Sequence, residues 1–358
     1  MLTAKRICIV RLGALGDVVN TLPALDALRA ARPDAHIAWL VESPWESILP
    51  GPPRLDEVIV VPKKEWLGKL RSLADIGELP ADVGRFVKEL RSREFELAID
   101  FHGNLRSGIA TFLTKAKTRA GFTPEFCKEL NYVFTSHHYA ATDADQAGTL
   151  HRVDRALALA EAVGAERVTD VPRVDVPESA LAFARNVFEA PGLAARPAVA
   201  VHPGTSAFGE YKRWPVERFN EIIRRLEASG FASVVTWGPD EYELAVAAAA
   251  GTGAVVSPQT GSVAELAALL SLCDAFIGSD SGPAVLAAAV DTPPVTLFGP
   301  KDPAVYAPRH PRARVVEIPM DCRPCKKRTC DDPKCVLHIT VQHVADAAFA
   351  LLNEMAGN

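Results

Sequence analysis

Ile7-Cys8-Ile9-Val10-Arg11-Leu12-Gly13-Ala14-Leu15-Gly16-Asp17 decides how the chain is read. Ile7 to Val10 is a short apolar run of the kind that fits a strand buried on both faces, and two glycines then allow a tight turn. Beyond the turn the period is helical. Val18, Val19, Leu22, Leu25 and Leu28 recur at spacings of three and four, while Thr21 before Leu22-Pro23 suits an N-cap followed by an early helical proline. Asp17 therefore falls at a strand-to-helix crevice, where open α/β sheets bind ligands. A dinucleotide fingerprint needs glycine at its first, third and sixth positions, and Arg11 ahead of Gly13 and Gly16 does not supply it. Taken alone, Asp17 also fits a helix cap or turn.

Gly16-Asp17 followed by Thr21-Leu22-Pro23-Ala24-Leu25 resembles the opening of glycosyltransferase family 9, the heptosyltransferases that build the inner core of bacterial lipopolysaccharide. The resemblance implies that Asp17 is the catalytic base. An inverting transfer needs one carboxylate to take the proton of the acceptor hydroxyl as it attacks the sugar C1 from the face opposite the leaving diphosphate.

At 358 residues, 48% hydrophobic and 23% charged, the chain is long enough for two domains, each with its own core. A net charge of −5 gives no general attraction to nucleic acid, so an anionic acceptor must be met by a local basic patch. No run of 18 apolar residues exists, and the Ala-rich stretch at 245–256 is short and broken by glycine. Arg11 interrupts the N-terminal apolar stretch, which argues against a signal peptide, and a cytosolic location is expected.

Strands are expected over His36–Val41, Glu57–Val61 and Phe95–Asp100, with helices between, which makes the first half a doubly wound parallel sheet. Lys63 and Lys64 follow the third strand; by charge alone they read as a solvated helix start, and the resemblance implies that they meet the acidic sugars of the acceptor. Asp100-Phe101-His102-Gly103-Asn104-Leu105-Arg106-Ser107 is similar to the family's Asp-x-x-Gly-x-x-Arg/Lys-Ser, and Arg119 beside Gly121 also has a family counterpart. His102, Arg106 and Arg119 thereby join the candidate acceptor site. A helix is expected from Gly148 to Gly164, where a glycine ends it, and His151-Arg152-Val153-Asp154-Arg155 within it resembles the family's helix leading to the second domain. Proline-punctuated segments put the domain boundary between about 175 and 195. Domains are thus expected at 1–180 and 190–340, with 341–358 a helix packing back on the fold.

The second half restarts with Ala198–Val201 as a strand and then His202-Pro203-Gly204-Thr205-Ser206, a loop whose backbone N–H groups and hydroxyls suit a diphosphate. Ending in Lys212-Arg213-Trp214-Pro215, it is similar to the family's Gly-Thr-Ser loop closed by Lys-x-Trp-Pro. The resemblance makes Thr205, Ser206 and Lys212 diphosphate ligands, with Lys212 stabilising charge as the nucleotide leaves. Ser233–Trp237 reads as a strand, followed by Asp240 and Glu241, which suit either ribose hydroxyls or a helix start. Ala275–Ser279, then Asp280-Ser281-Gly282, looks like the family's Asp-Ser/Thr-Gly: helix N–H groups at Ser281 and Gly282 for phosphate oxygens, Asp280 to orient the bound sugar or nucleotide. The histidine the family usually carries two or three residues later is absent, since the helix reads Pro283-Ala284-Val285-Leu286.

Cys322, Cys325, Cys330 and Cys335 have spacing that fits a tetrahedral zinc site, whereas the family's cysteine-rich segment implies a reduced or disulfide-tied loop, the reading preferred here. Over nearly the whole chain, the resemblance implies a GT-B fold, two Rossmann-like domains facing across a cleft, with the acceptor on the first and a nucleotide-heptose, ADP-heptose, on the second. Transfer is expected to be inverting, with no metal or other cofactor and no nucleic-acid partner. The lipid-linked core oligosaccharide would be met at the cytoplasmic face of the inner membrane. Alternatives are a GT-B transferase or epimerase using another nucleotide sugar, or a non-catalytic nucleotide-sugar-binding protein.

Overall fold

The computed structural model describes residues 3–72, 75–142, 148–194, 196–325, 327 and 329–357. Its backbone divides into two compact units, Met1–Pro172 and Arg173–Asn358.

The first unit is a six-stranded sheet of β1 (Arg6–Val10), β2 (His36–Glu42), β3 (Glu57–Val61), β4 (Leu97–Asp100), β5 (Thr118–Phe122) and β6 (His137–Tyr139), ordered β3-β2-β1-β4-β5-β6. Its helices are α1 (Leu15–Val19), α2 (Leu22–Ala31), α3 (Lys63–Arg71), α4 (Leu79–Ser92), α5 (Leu105–Leu113) and α6 (Arg152–Ala162). Neighbouring strands run parallel. The central strand is apolar from Ile7 to Val10 because both of its faces are covered: Cys8 and Val10 join a cluster with Leu40, Leu90 and Phe95, while Ile7 and Ile9 are fully buried on the opposite face.

The second unit contains β7 (Ala198–His202), β8 (Ala232–Val235), β9 (Val255–Val256), β10 (Ala275–Ser279), β11 (Pro294–Phe298) and β12 (Arg314–Glu317), ordered β12-β11-β10-β7-β8-β9. It carries α7 (Glu178–Phe188), α8 (Val216–Ala228), α9 (Tyr242–Ala249), α10 (Val263–Ser271), α11 (Gly282–Ala289), α12 (Pro303–Tyr306), α13 (Lys334–Leu337) and α14 (Val341–Ala356). Counted from its own first strand, this is the 3-2-1-4-5-6 order of the first sheet, the doubly wound Rossmann arrangement. Both halves thus have the fold class expected of a GT-B chain. α14 packs on the second sheet, where Val344, Ala348 and Leu351 meet Phe219, Ile222 and Ile277.

Several local expectations change. Thr21 stands at the N-cap of α2, yet its hydroxyl donates to the Asp17 carbonyl oxygen at 2.8 Å instead of capping. The helix read from Gly148 begins at Arg152, and Gly164 in the left-handed region (φ 98°) follows its end as a glycine cap should. β5, β6, β9 and β12 were not expected: β5 holds an arginine and a glycine, and the others are too short or too polar to show alternation. All seven cysteines are free thiols. Among the described residues no group of three or more His, Cys, Asp or Glu is arranged to hold a metal ion. Lys326 and Arg328, within the cysteine segment, lie outside the described residues. No helix among the described residues is long and apolar enough to cross a membrane.

Candidate active site

In an open parallel sheet, ligands bind beyond the carboxyl ends of the strands where the strand order reverses. In the first unit that point lies between β1 and β4, and the segments leaving those two strands line a recess of about 190 Å³, open to solvent, that α6 and the segment at 126–128 complete. Arg11, buried at 8% exposure, donates through Nη2 to Asp17 Oδ2 at 2.5 Å and through Nη1 to the Phe101 carbonyl oxygen at 2.7 Å. One buried guanidinium therefore ties the end of β1 to the end of β4 and fixes the Asp17 carboxylate.

Among the described residues, four cations, Arg11, Lys128, Arg152 and Arg155, line this recess with one carboxylate, Asp17. Burial works to raise the Asp17 pKa, but the charges of Arg11, Arg152 and Arg155 outweigh it and hold the carboxyl below its usual range. His102, whose Nε2 lies 3.0 Å from Asn104 Nδ2, is pushed down to about 3 by burial and by Arg11, so its imidazole is neutral. Burial, with Arg152 and Arg11, brings Arg155 down to about 10; its guanidinium lies 4.4 Å from the Phe122 ring centroid and donates to the Phe126 carbonyl oxygen.

The β4 side of the recess is shaped by Asp100, which is fully buried. Its Oδ1 accepts from the backbone N–H of His102 and Gly103 at 2.9 and 3.0 Å, and its Oδ2 from Ser107 Oγ and Asn131 Nδ2 at 2.9 and 2.7 Å. Gly103 adopts φ +74°, where a side chain is strained, and an added Cβ would meet Arg155 at 3.3 Å. Asp100, Gly103 and Ser107 of the sequence motif are thus structural, and they present His102 and Asn104 to the recess.

Of the expected acceptor residues, only His102 joins Asp17 in lining the recess. Lys63 and Arg106 converge on Glu42 at the end of β2, at 2.9 and 2.7 Å. Lys64 is exposed on α3. Arg119 turns away: it donates to the carbonyl oxygens of Phe134 and Ala116 at 2.9 and 3.1 Å and sits 5.6 Å from the Phe112 ring centroid. Arg11, Lys128, Arg152 and Arg155 were not picked out as site residues from the sequence. A signal for two of them was present, because Arg152 and Arg155 occupy the first turn of α6, where a helix disfavours cations unless an anion is to be met there.

The second unit repeats the plan between β7 and β10. Lys212 Nζ donates to Asp280 Oδ2 at 3.0 Å and to the Asp280 carbonyl oxygen at 2.7 Å, joining the two motif loops. Trp214 explains the Lys-x-Trp-Pro pattern: it is fully buried and donates through Nε1 to the Ile339 carbonyl oxygen at 2.8 Å, anchoring the segment that carries Lys212. Ser281 is the N-cap of α11, and its hydroxyl, buried, has no hydrogen-bond partner among the described residues. Val285, where the family histidine is missing, is buried in α11.

Glu241 departs from expectation. It is buried, and its Oε1 accepts from the backbone N–H of Thr205 and Ser206 at 2.8 and 2.7 Å, while its Oε2 accepts from Gly238 at 3.1 Å. The N–H groups expected for a diphosphate are held by the chain's own carboxylate. Gly204 is required for this contact, since a Cβ there would lie 2.0 Å from Glu241 Oε2. Asp240, on the same turn, is exposed.

The family model of glycosyltransferase family 9 (heptosyltransferase) matches residues 83–336. Lipopolysaccharide heptosyltransferase 1 of Pseudomonas aeruginosa is 29% identical over 367 residues, covering 97% of this chain and 98% of that one. Lipopolysaccharide heptosyltransferase 3 of Escherichia coli K12 is 26% identical over 298 residues, covering 82% of each. Among solved structures, a family 9 glycosyltransferase from Veillonella parvula superposes with a TM-score of 0.79 at 25% identity, over 98% of this chain and 97% of that one. The E. coli heptosyltransferase WaaC with ADP gives 0.76 at 23% identity, over 97% and 99%. With two doubly wound sheets, the motif loops at both switch points and a family match over most of its length, the chain belongs to glycosyltransferase family 9, the heptosyltransferases.

Proposed function

We propose that the protein transfers a heptose from ADP-heptose to the Kdo/heptose inner core of lipopolysaccharide, with inversion at C1 and without a metal ion. The observation that carries this reading is the recess in which, among the described residues, Asp17 stands beside four cations, which suits an acceptor that brings its own carboxylates to a single base. The names of the relatives, lipopolysaccharide heptosyltransferases 1 and 3, support the donor and acceptor classes.

In the step, the acceptor oxygen bonds to the heptose C1 while the bond from C1 to the diphosphate oxygen breaks, and ADP leaves with that electron pair. The acceptor proton passes to Asp17. Arg11 holds Oδ2, which leaves Oδ1 for the acceptor hydroxyl. A carboxylate held below the usual pKa range suits late proton transfer, because the hydroxyl becomes acidic as its oxygen bonds to an oxocarbenium-like centre. The donor belongs to the second unit, where Lys212 and the α11 N-terminus at Ser281 and Gly282 neutralise the diphosphate and Asp280 orients it. Lys63, Lys64 and Arg106 stay candidates for the outer sugars of the acceptor. The enzyme works at the cytoplasmic face of the inner membrane, where its lipid-linked acceptor lies.

The test is incubation of purified protein with ADP-heptose and Kdo-bearing lipid A in excess chelator, read by mass spectrometry and by the anomeric configuration of the product. Addition of one heptose with inversion is expected. Hydrolysis only, transfer from another nucleotide sugar in preference, or turnover that returns only with magnesium or manganese would overturn the reading.

A further inference from the structure

Helix α5 carries a second apolar stripe on its solvent side. Ser107, Gly108 and Thr111 are buried, and Ala110 and Leu113 pack on the core of the unit, whereas Leu105, Ile109 and Phe112 are 40%, 42% and 47% exposed. The latter three fall at i, i+4 and i+7, one stripe along the outside of the helix. The small and polar buried positions have a local cause: Ser107 is committed to Asp100, and Gly108 lets Asn131 and Phe134 approach so closely that a Cβ would meet them at 2.8 Å. That cause does not explain the apolar outside. The neighbouring 3₁₀ turn Asn131–Phe134 extends the patch, with Leu130 and Val133 at 63% and 59% exposure. Five large apolar side chains on one face mark a surface made to be covered.

Two observations say what covers it. The first is charge: Arg106, Lys115, Lys117 and Lys128, all exposed, lie in or beside these segments, against two exposed carboxylates, Glu125 and Glu129, and Glu42, which Arg106 shares with Lys63. Apolar side chains ringed by a cationic excess fit an anionic lipid surface. The second is continuity with the recess. Asn104 and Lys128 line it, and the next residue outward from Asn104 is Leu105, whose N–H donates to Glu129 Oε2 at 3.2 Å. From these we infer that the outer face of α5 and the 130–133 turn is a docking surface for an anionic lipid bilayer, which holds the recess against the plane from which the acceptor's sugar projects. This rests on the proposed use of a lipid-linked acceptor and goes beyond it by naming the surface.

Sedimentation with vesicles tests it, using phosphatidylethanolamine with about one-third phosphatidylglycerol against pure phosphatidylcholine. The wild type is expected to bind the anionic vesicles and not the neutral ones. Ile109→Glu with Val133→Glu, at two exposed positions outside the recess, should weaken binding roughly ten- to hundredfold, since each change withdraws an apolar group and adds a repelled charge. The same double variant should keep the wild-type kcat and KM on a water-soluble acceptor lacking acyl chains, and should raise KM only for acceptor in vesicles. Equal binding to neutral vesicles, no vesicle binding, or undiminished binding by the double variant would overturn the inference. So would a wild-type dimer that the double variant dissolves, because the occupant would then be a second copy. Vesicle binding through this face without heptose transfer to any acceptor would instead sink the proposed function and leave the surface standing.

Discussion

Replacing Asp100 should destabilise the first unit more than any other single polar change near the recess. Asp100→Ala withdraws the acceptor of four hydrogen bonds at a fully buried position. Ser107 can turn its hydroxyl to the Asn104 carbonyl oxygen, already 3.0 Å away, so three donors are left: two backbone N–H groups and one N–H of Asn131. At about 1–3 kcal/mol for each unpaired donor, and allowing for relief from burying a charge, the cost is about 3–5 kcal/mol. For a unit the length of Met1–Pro172 this lowers the melting temperature by roughly 6–20 °C. Asp100→Asn should cost less. Its remaining oxygen can serve the two backbone donors, and its new amide can face the Ser107 hydroxyl, leaving only a donor-to-donor conflict with Asn131. About 1–2 kcal/mol is expected, less than half the alanine effect. Calorimetry of the full chain, following the transition of the first unit, measures both. A fall of less than about 2 °C in Asp100→Ala would refute the claim that this carboxylate holds the His102–Asn104 segment.

Further outcomes follow from the same geometry. Folded-state pKa values of about 3 for His102 and about 4 for His202 lie below the ordinary 6.5, so below pH 6.5 the unfolded chain takes up protons that the folded chain refuses. Stability should therefore fall as pH drops from 6.5 toward 4, and His102→Gln should flatten that slope in thermal melts across pH; an unchanged slope would contradict the burial argument. Glu241→Ala frees the Thr205 and Ser206 N–H groups and loosens their loop, so KM for the nucleotide sugar should rise roughly tenfold with kcat little changed, and an unaltered donor KM would show the cradle to be irrelevant to donor binding. Arg155→Met should raise acceptor KM roughly 10–100-fold with donor KM unchanged, whereas joint replacement of Lys63 and Lys64 should raise it less and weaken its salt dependence. Equal loss of donor binding in either would place those cations on the wrong substrate.

What the sequence disclosed follows a physical pattern. β1 and β10 were legible because strands covered on both faces must be continuously apolar, and the turns after them stood out through glycine and a lone acid, Asp17 or Asp280. β5 escaped notice because its Arg119 and Gly121 are set by contacts distant in sequence: Arg119 by Phe134, Gly121 by Thr135. The cations divide the same way. Arg119 stands out by its place beside a glycine, yet its guanidinium donates to two backbone carbonyls, which only the fold reveals. Arg152 and Arg155 looked like ordinary helix charges, although their position in the first turn of α6 was a readable anomaly. Glu241 was legible as important and misread in kind, since its three N–H donors come from two loops that only the parallel pairing of β7 with β8 makes neighbours.

Asp17 is the residue on which base and anchor roles part. Asparagine at this position keeps the shape and serves as well at a helix cap or turn, but it cannot accept the acceptor proton. Steady-state kinetics of Asp17→Asn, on protein shown by its melt to be folded, should give a kcat lower by about 10²–10⁴ with donor affinity unchanged, since the proposed donor site is Lys212 and the α11 N-terminus, in the other unit. Near-normal turnover in that variant would mean that the carboxylate tied to Arg11 is a structural anchor and that the proton leaves by another route.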